Sequence, residues 1–230
     1  HNITINKILL LELFYKLVIF KYILIIIRFN KVSNIFNKLA TPPSYSSAFL
    51  LSSKDVLLFK GSPKERRIFI DVNLSKKSET YLELISKYEK VLRERNELLK
   101  HDNVDLTLLD ATTEMLIKLE GPIISYRQLY FKDINDILIK LTHALTGVYE
   151  KIEISYKPFI PYTKDFETNA KEAYKRSLEN DLKKKATTIG IHREDFSTSL
   201  NSKDIALYGS QGENRIVALA LKLAPYFLIG

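Results

Sequence analysis

The sequence predicts an α/β fold in which strands build a body and long helices form a coiled-coil-like arm that projects from it. Three observations support this prediction. β-branched and aromatic residues are concentrated in 8–27, apolar residues recur every three or four positions in 79–100, and apolar and polar residues alternate in 149–156. The length of 230 residues suits one large domain or two small ones.

The N-terminal segment 8–27 is apolar and, at about 20 residues, long enough to cross a membrane as a helix. Three charged residues interrupt it: Glu12, Lys16 and Lys21. Each would cost roughly 2.5–3.5 kcal/mol near the centre of a bilayer. We therefore predict two buried strands, at 7–15 and 18–29, and keep a membrane anchor as an alternative.

The composition excludes several kinds of site. The chain has no cysteine, which excludes a disulfide scaffold, a thiolate metal site and a cysteine nucleophile, and fits a cytoplasmic setting. Residues 1–70 hold 11 Lys and Arg against 3 Asp and Glu, whereas 71–230 hold 24 of each, so the net charge of +8 lies in the first third. This asymmetry indicates either a nucleic-acid contact or an ordinary basic face. Because the chain begins at His1, we expect it to be part of a longer protein.

A short strand or helical turn at 56–59 is followed by a helix that begins near Ser62. Ser62 is placed as its N-cap, with Pro63 at the first helical position and Glu65 three residues on, which is a capping box. We predict that this helix turns three apolar side chains inward: Ile68, Phe69 and Ile70.

Three more helices form the predicted arm. The first covers 79–100 and carries its Lys, Arg and Glu residues on the face opposite its apolar positions. The second begins at Leu106, is interrupted at Gly121-Pro122 and then resumes, and the third and more polar helix covers about 165–185.

The strands of the body are expected on either side of the third helix. Residues 149–156 alternate as a half-buried strand, and 186–191 is interpreted as a return into the sheet. An apolar helix is predicted over 213–229. Ser210 and Glu213 stand in S-x-x-E spacing before it, and with Gly209 and Gly212 they favour a phosphate site at the helix N-terminus, or else a plain glycine-containing helix start.

Four stretches agree in order and separation with motifs of one protein family. They are K-G-S-P-K-E-R-R at 60–67 with Phe69 and Asp71, Y-E-K-V-L-R-E-R-N-E-L-L-K at 88–100, G-I-H-R-E-D at 190–195, and G-S-Q-G-E-N-R with A-L-A-L-K-L-A over 209–224. In these stretches the chain resembles the RecF family of DNA replication and repair proteins, which are SMC-like ABC-type ATPases.

The resemblance implies how nucleotide and DNA are bound. Three residues would contact ATP in trans, across a dimer interface: Ser210, Gln211 and Gly212. Four basic residues are candidates for a phosphate or DNA contact, although a helix-surface salt bridge explains the two arginines equally well: Lys60, Lys64, Arg66 and Arg67. His192 and Arg193 are interpreted as polar anchors at the end of a strand, and no catalytic residue or metal ligand is assigned.

The resemblance also implies the domain organisation. Residues 1–75 would be the N-terminal part of a partial ABC-type ATPase head, basic and built of strands. Residues 76–185 would be the inserted helical, coiled-coil-like arm, and 186–230 the C-terminal part of the head with the signature motif.

The implied function is ATP-dependent binding to single-strand/double-strand DNA gaps in recombinational repair and the SOS response. The implied partners are DNA, a second copy of the chain and other recombination-mediator proteins, in the cytoplasm and without a membrane. The sequence has no G-x-x-x-x-G-K-[ST], and the ligands of the implied Mg²⁺ are not found in it, so we expect no hydrolysis by this chain alone. Two alternatives are a membrane-anchored helical adaptor that uses 8–27 and a non-catalytic DNA-binding module.

Overall fold

The computed structural model describes residues 61–147 and 151–228. The predicted strands at 7–15 and 18–29, the segment 56–59 and Lys60 lie outside the described residues.

Helix α1 spans Pro63–Lys77, and its start confirms the predicted capping box. The Glu65 N–H donates to Ser62 Oγ at 3.4 Å, and the Ser62 N–H donates to the Glu65 carboxylate at 2.7 Å. Ile70 and Leu74 are buried, but Ile68 is 51% exposed, so the prediction that Ile68 faces inward is wrong. Two positions along a helix turn the side chain through about 200°, so Ile68 and Ile70 cannot share a face.

Helices α2, α3 and α4 span Glu79–Leu98, Leu106–Thr146 and Phe166–Lys184. The predicted interruption of α3 at Gly121-Pro122 is wrong, because the helix continues through Pro122. A proline inside a helix costs about 3 kcal/mol, which the complete burial of Ile123 and Ile124 helps to offset. A Cβ on Gly121 would lie 2.7 Å from Cε2 of Tyr162, so the glycine lets that ring pack against the helix.

A three-stranded antiparallel sheet lies beside these helices, in the order β1–β2–β3. The strands are Ile152–Lys157, Asp195–Leu200 and Lys203–Asp204. The first confirms the strand predicted over 149–156 from Ile152 onward, while 149 and 150 lie outside the described residues. It pairs with β2 in the register Ile154↔Thr198.

The strand predicted at 186–191 is wrong, because β2 begins only at Asp195 and a short 3-10 helix, Ile191–Arg193, precedes it. Side chains accept hydrogen bonds from the backbone N–H groups that a strand would pair with its neighbour. Asn96 accepts from the Thr187 N–H at 2.8 Å and Asp181 accepts from the Thr188 N–H at 2.8 Å. Gly190, at φ 116°, adopts a conformation that L-residues rarely tolerate in a strand.

The chain then runs through a short helix α5, Ile205–Tyr208, into α6, Gln211–Leu223, and a 3-10 segment, Ala224–Leu228. The apolar helix predicted over 213–229 is therefore confirmed in position, but its α-helical part begins earlier and ends sooner. Pro225 has no N–H to continue the α-helical hydrogen bonds, which explains the change of helix type.

One hydrophobic core joins the described elements. It includes buried side chains from the predicted arm and from the segments on either side of it: Ile85, Leu116, Ile124, Ile134 and Tyr174 from the first group, and Ile70, Ile191, Phe196, Val217 and Leu221 from the second. None of the helices in 61–147 and 151–228 is both long and apolar enough to cross a bilayer. The apolar segment 8–27 lies outside these residues.

Candidate functional site

The N-terminus of α6 presents the predicted phosphate-contact residues at the surface. Ser210 is the N-cap, as predicted: its Oγ accepts from the Glu213 N–H at 3.3 Å, and its own N–H donates to the Glu213 carboxylate at 2.7 Å. Ser210, Gln211 and Gly212 are all exposed. Their side-chain and first-turn groups are therefore open to an approaching anion.

The charge at this helix start is mixed. The free N–H groups of the first turn carry partial positive charge and attract an anion. Hydrogen bonds from the Ser210 side chain and backbone lower the pKa of the adjacent Glu213 carboxyl, so it is ionised at neutral pH. The site therefore combines a favourable helix end with one carboxylate that opposes a phosphate.

The buried Asn214 side chain binds the backbone of the loop that precedes α6. Asn214 Nδ2 donates to the Gly209 carbonyl at 2.8 Å and to the Ser210 carbonyl at 2.9 Å. A Cβ on Gly209 would lie 2.6 Å from the carbonyl oxygen of Ile205, so only glycine fits there. Sequence reasoning assigned no role to Asn214, although it lies in the G-S-Q-G-E-N-R stretch, because a polar residue in the first turn of a helix is ordinarily solvated.

Two large apolar side chains near the same loop are exposed to solvent. Leu207 is 75% exposed and Tyr208 is 72% exposed. They are separated from Ser210 only by Gly209, so the exposed helix start has two exposed apolar residues shortly before it in the chain.

Both arginines of the candidate DNA contact bind protein groups. Arg66 Nε and Nη2 each lie 2.7 Å from an oxygen of the Asp195 carboxylate, and Arg67 Nη1 donates to the Glu194 carbonyl at 2.7 Å. Lys64 is exposed, and Lys60 lies outside the described residues. The structure thus places Arg66 and Arg67 against the G-I-H-R-E-D stretch rather than beside Ser210 and Gly212.

His192 is a polar anchor in the turn before β2. Its Nε2 lies 3.0 Å from the Thr187 carbonyl and its Nδ1 lies 2.8 Å from the Tyr88 hydroxyl. Burial lowers the pKa of His192 to about 4, so the ring is neutral at physiological pH. Nε2 then donates to the carbonyl and Nδ1 accepts from the tyrosine. Arg193 also binds the Thr187 carbonyl, at 3.4 Å.

The segment 187–195, which we call the polar hub, is held by buried charges from the long helices. Arg127 of α3 donates to the Ile191 carbonyl at 3.1 Å, to Glu194 at 2.8 Å and to Asp71 of α1 at 2.8 Å. Tyr156 of β1 also donates to Glu194. One arginine therefore joins α1, α3 and the polar hub.

Arg95 of α2 makes a second set of buried contacts. It was predicted on the charged face of its helix, and that placement is wrong, because Arg95 follows Val91 by four residues and so shares its buried face. It donates to Asp181 of α4 at 2.9 Å and to Thr187 at 2.7 Å. Residue type alone indicated a solvated side chain.

Glu120 completes the polar hub from α3. It is fully buried, accepts from the Tyr174 hydroxyl at 2.8 Å and from the Ile191 N–H at 3.3 Å, and its Oε2 has no hydrogen-bond partner. Burial raises the pKa of Glu120 to about 7. Gly190 faces it so closely that a Cβ would lie 2.5 Å from Glu120 Oε1.

Within 61–147 and 151–228, no group of three or more His, Asp and Glu residues is arranged to hold a metal ion. The buried carboxylates in and around the polar hub, those of Glu194, Asp181 and Glu120, accept from arginine, tyrosine and backbone donors, and only Oε2 of Glu120 among them has no hydrogen-bond partner. Among the described residues, therefore, no metal site is formed, and the exposed start of α6 stays the predicted contact for a phosphate.

No family model matches the chain. Curated relatives do match it, and they carry the name DNA replication and repair protein RecF. The protein from Lachnoclostridium phytofermentans is 36% identical over 181 residues, covering 77% of this chain and 49% of the relative. That from Clostridium botulinum is 33% identical over 207 residues, covering 88% of this chain and 54% of the relative.

Two solved structures agree with the fold. The recombination mediator protein RecF with ATP, of the RecFOR pathway, matches with a TM-score of 0.70 at 31% identity, over 76% of this chain and 48% of that chain. A second structure of that protein, with ATPrS, matches with a TM-score of 0.73 at 30% identity, over 78% of this chain and 50% of that chain. This chain spans about half the length of the relatives that it matches.

Proposed function

Because this chain resembles RecF proteins over about half of their length, we propose that it acts in DNA replication and repair by ATP-dependent binding to DNA gaps. The relatives bear the name of DNA replication and repair proteins, and the matching solved structures are ATP complexes of a recombination mediator. The observation that carries the proposal is the exposed, capped N-terminus of α6 at the position of the family signature.

We assign the described helices and strands to two parts of a larger ABC-type ATPase. Residues 76–185 form the inserted helical arm, and 1–75 with 186–230 form the two pieces of the head. The polar hub lies where these parts meet, since Arg127 and Arg95 of the arm helices bind the hub directly.

The proposed nucleotide contact is made in trans. Ser210, Gln211 and Gly212 of one chain approach the phosphates of ATP that a second copy holds, and the exposed Leu207 and Tyr208 are covered when the two copies meet. Such a contact would remove the apolar surface of these two side chains from water, which is favourable. The Ser210 hydroxyl and the first-turn N–H groups supply hydrogen bonds to phosphate oxygens.

The proposed DNA contact uses basic residues of the first third of the chain, including Lys60 and Lys64. These side chains neutralise phosphates, so binding is salt-sensitive and largely independent of sequence. Arg66 is paired with Asp195, so its main role is to connect α1 to β2. Other recombination-mediator proteins are proposed partners, and the proposed setting is the cytoplasm during recombinational repair and the SOS response.

A DNA titration with and without a non-hydrolysable ATP analogue and Mg²⁺ tests this proposal. We expect the analogue to lower the Kd of the chain for a gapped duplex. Ser210→Ala removes one hydrogen bond to a charged phosphate, so about tenfold more analogue is needed for the same effect. We do not expect hydrolysis, because the sequence has no G-x-x-x-x-G-K-[ST].

The chain offers a matched control for that substitution. Ser62 is also an exposed N-cap serine in a capping box, so Ser62→Ala loses a similar helix cap, worth about 1 kcal/mol. The proposal requires that only Ser210→Ala changes the response to the analogue. If the analogue leaves the Kd for the gapped duplex unchanged, the alternative of a non-catalytic DNA-binding module is favoured.

A further inference from the structure

We propose that Asn214 is a positioning residue that turns the Ser210 hydroxyl and the first-turn N–H groups of α6 outward, toward the nucleotide. The inference rests on the proposed function for its biological consequence. Its geometric part, that Asn214 orders the signature loop, stands on the contacts of this chain alone.

The contacts of Asn214 fix two successive peptide groups. Asn214 is 1% exposed, and its Nδ2 binds the carbonyls of both Gly209 and Ser210. The Asn214 backbone N–H also donates to the Ser210 carbonyl, at 2.9 Å. With both carbonyls directed inward, the opposite edge of the loop, which carries the Ser210 side chain and the N–H groups that follow, faces solvent.

A side chain with two amide hydrogens on one atom is needed for this arrangement. Asparagine can donate to two carbonyls from Nδ2, whereas an ionised aspartate has no donor and a leucine has none either. Gly209 complements it, because any Cβ there would meet the Ile205 carbonyl oxygen and push the loop away from Asn214.

Stability alone does not explain a polar residue at this position. Asn214 Oδ1 is buried and has no hydrogen-bond partner, which destabilises the folded state relative to an apolar side chain of similar size. Its buried neighbours on α6, Val217, Ala218 and Leu221, are all apolar. The two donated hydrogen bonds, and the loop orientation that they impose, are what the asparagine provides.

The first test follows loop order without any nucleotide. Asn214→Leu keeps the branching at Cγ and removes the Nδ2 donor, and Asn214→Asp keeps the shape and replaces Nδ2 with an oxygen. We expect amide hydrogen exchange at Glu213, whose N–H is bonded to Ser210 Oγ, to become at least tenfold faster in both variants. We also expect Asn214→Leu to unfold at a denaturant concentration no lower than the parent chain does.

Hydrogen exchange at Glu213 and global stability, measured together, separate a positioning role of Asn214 from a purely structural one. Unchanged exchange at Glu213 in both variants overturns the proposal. Faster exchange accompanied by an equal loss of global stability in Asn214→Leu also overturns it, since Asn214 would then serve only the core. Ser62→Ala, which loosens a different helix start, serves as the control and should leave exchange at Glu213 unaltered.

A second measurement connects the loop to the nucleotide. In the gapped-duplex titration, both variants should need about tenfold more ATP analogue for the effect seen with the parent chain. If the parent chain shows no effect of the analogue, the proposed function fails, and the exchange experiment still decides whether Asn214 orders the loop. If the parent responds and both variants respond equally, the positioning role is refuted while the proposed function stands.

Discussion

The buried carboxyl of Glu120 makes the stability of this protein depend on pH near neutrality. Glu120 lies among the hydroxyls of Tyr88 and Tyr174, and burial raises its pKa from 4.5 to about 7. The Glu194 carboxylate raises it further, while donors from Tyr174 and Ile191 oppose the shift. Replacing Glu120 by glutamine removes the titrating group and keeps the shape and the acceptor for Tyr174.

The sign and size of the effect follow from proton linkage. An acid whose pKa is higher in the folded state binds more protons when folded, so its contribution to stability is complete below the unfolded pKa and is lost as pH rises through about 7. A shift of about 2.5 units corresponds to roughly 3 kcal/mol at 1.36 kcal/mol per unit. Between pH 5 and pH 8.5 the free energy of unfolding should therefore fall by roughly 2–3 kcal/mol on account of this residue.

Denaturant unfolding at a series of pH values measures this contribution. Relative to the parent chain, Glu120→Gln should have a flatter profile and gain roughly 2–3 kcal/mol between pH 5 and pH 8.5. Glu114→Gln is the control, because Glu114 lies on the same helix but is exposed and paired with Lys171. Its profile should parallel that of the parent chain. A Glu120→Gln profile as steep as the parent profile would refute the reasoning.

Two further predictions concern the polar hub. Gly190→Ala should lower the free energy of unfolding by at least about 2 kcal/mol, because of its positive φ and the contact with Glu120, whereas Gly147→Ala carries only the φ strain since nothing lies within 4 Å of its Cβ. Equal losses in the two variants by thermal or denaturant unfolding would contradict the close contact. Arg127→Met should cost about 3–5 kcal/mol because it leaves the buried Glu194 carboxylate without its opposite charge. Lys77→Met, at an exposed pair, should cost at most about 1 kcal/mol by the same measurement.

The elements predicted correctly are those fixed by short-range patterns. The capping boxes at Ser62 and Ser210 each involve residues three positions apart, so the sequence located both helix starts. The periodic apolar residues of α2 likewise predicted its helix. Locally encoded hydrogen bonds and helical spacing need no knowledge of the rest of the chain.

The errors at Gly121-Pro122 and at 186–191 arose where residues outside the local segment decide the structure, whereas those at Ile68 and Arg95 came from misreading the helical period. Gly121-Pro122 signals a helix break by itself, but burial of the following isoleucines and the ring of Tyr162 against Gly121 accompany a continuous helix. The segment 186–191 is apolar enough for a strand, but the side chains of Asn96 and Asp181 accept from its backbone N–H groups instead of a neighbouring strand. Neither partner can be identified from local sequence.

The candidate site divides in the same way. Sequence motifs located Ser210, Gln211 and Gly212, and the structure places them at an exposed helix start. The roles of Asn214 and Arg127 depend on contacts that only folding creates. Asn214 lies within the signature stretch, but residue spacing there does not indicate that its side chain is buried. Whether the three signature residues contact ATP stays a prediction.

The sequence by itself determined the helices, their capped starts and the resemblance to a repair ATPase, because these rest on residue spacing along the chain. Only the tertiary structure decided that Arg95, Arg127 and Glu120 are buried around the polar hub, where the two arginines meet carboxylates up to 86 residues away. Burying a charge is favourable only when opposite charges and donors converge on it from several elements. That convergence is a property of the folded arrangement and not of any one segment.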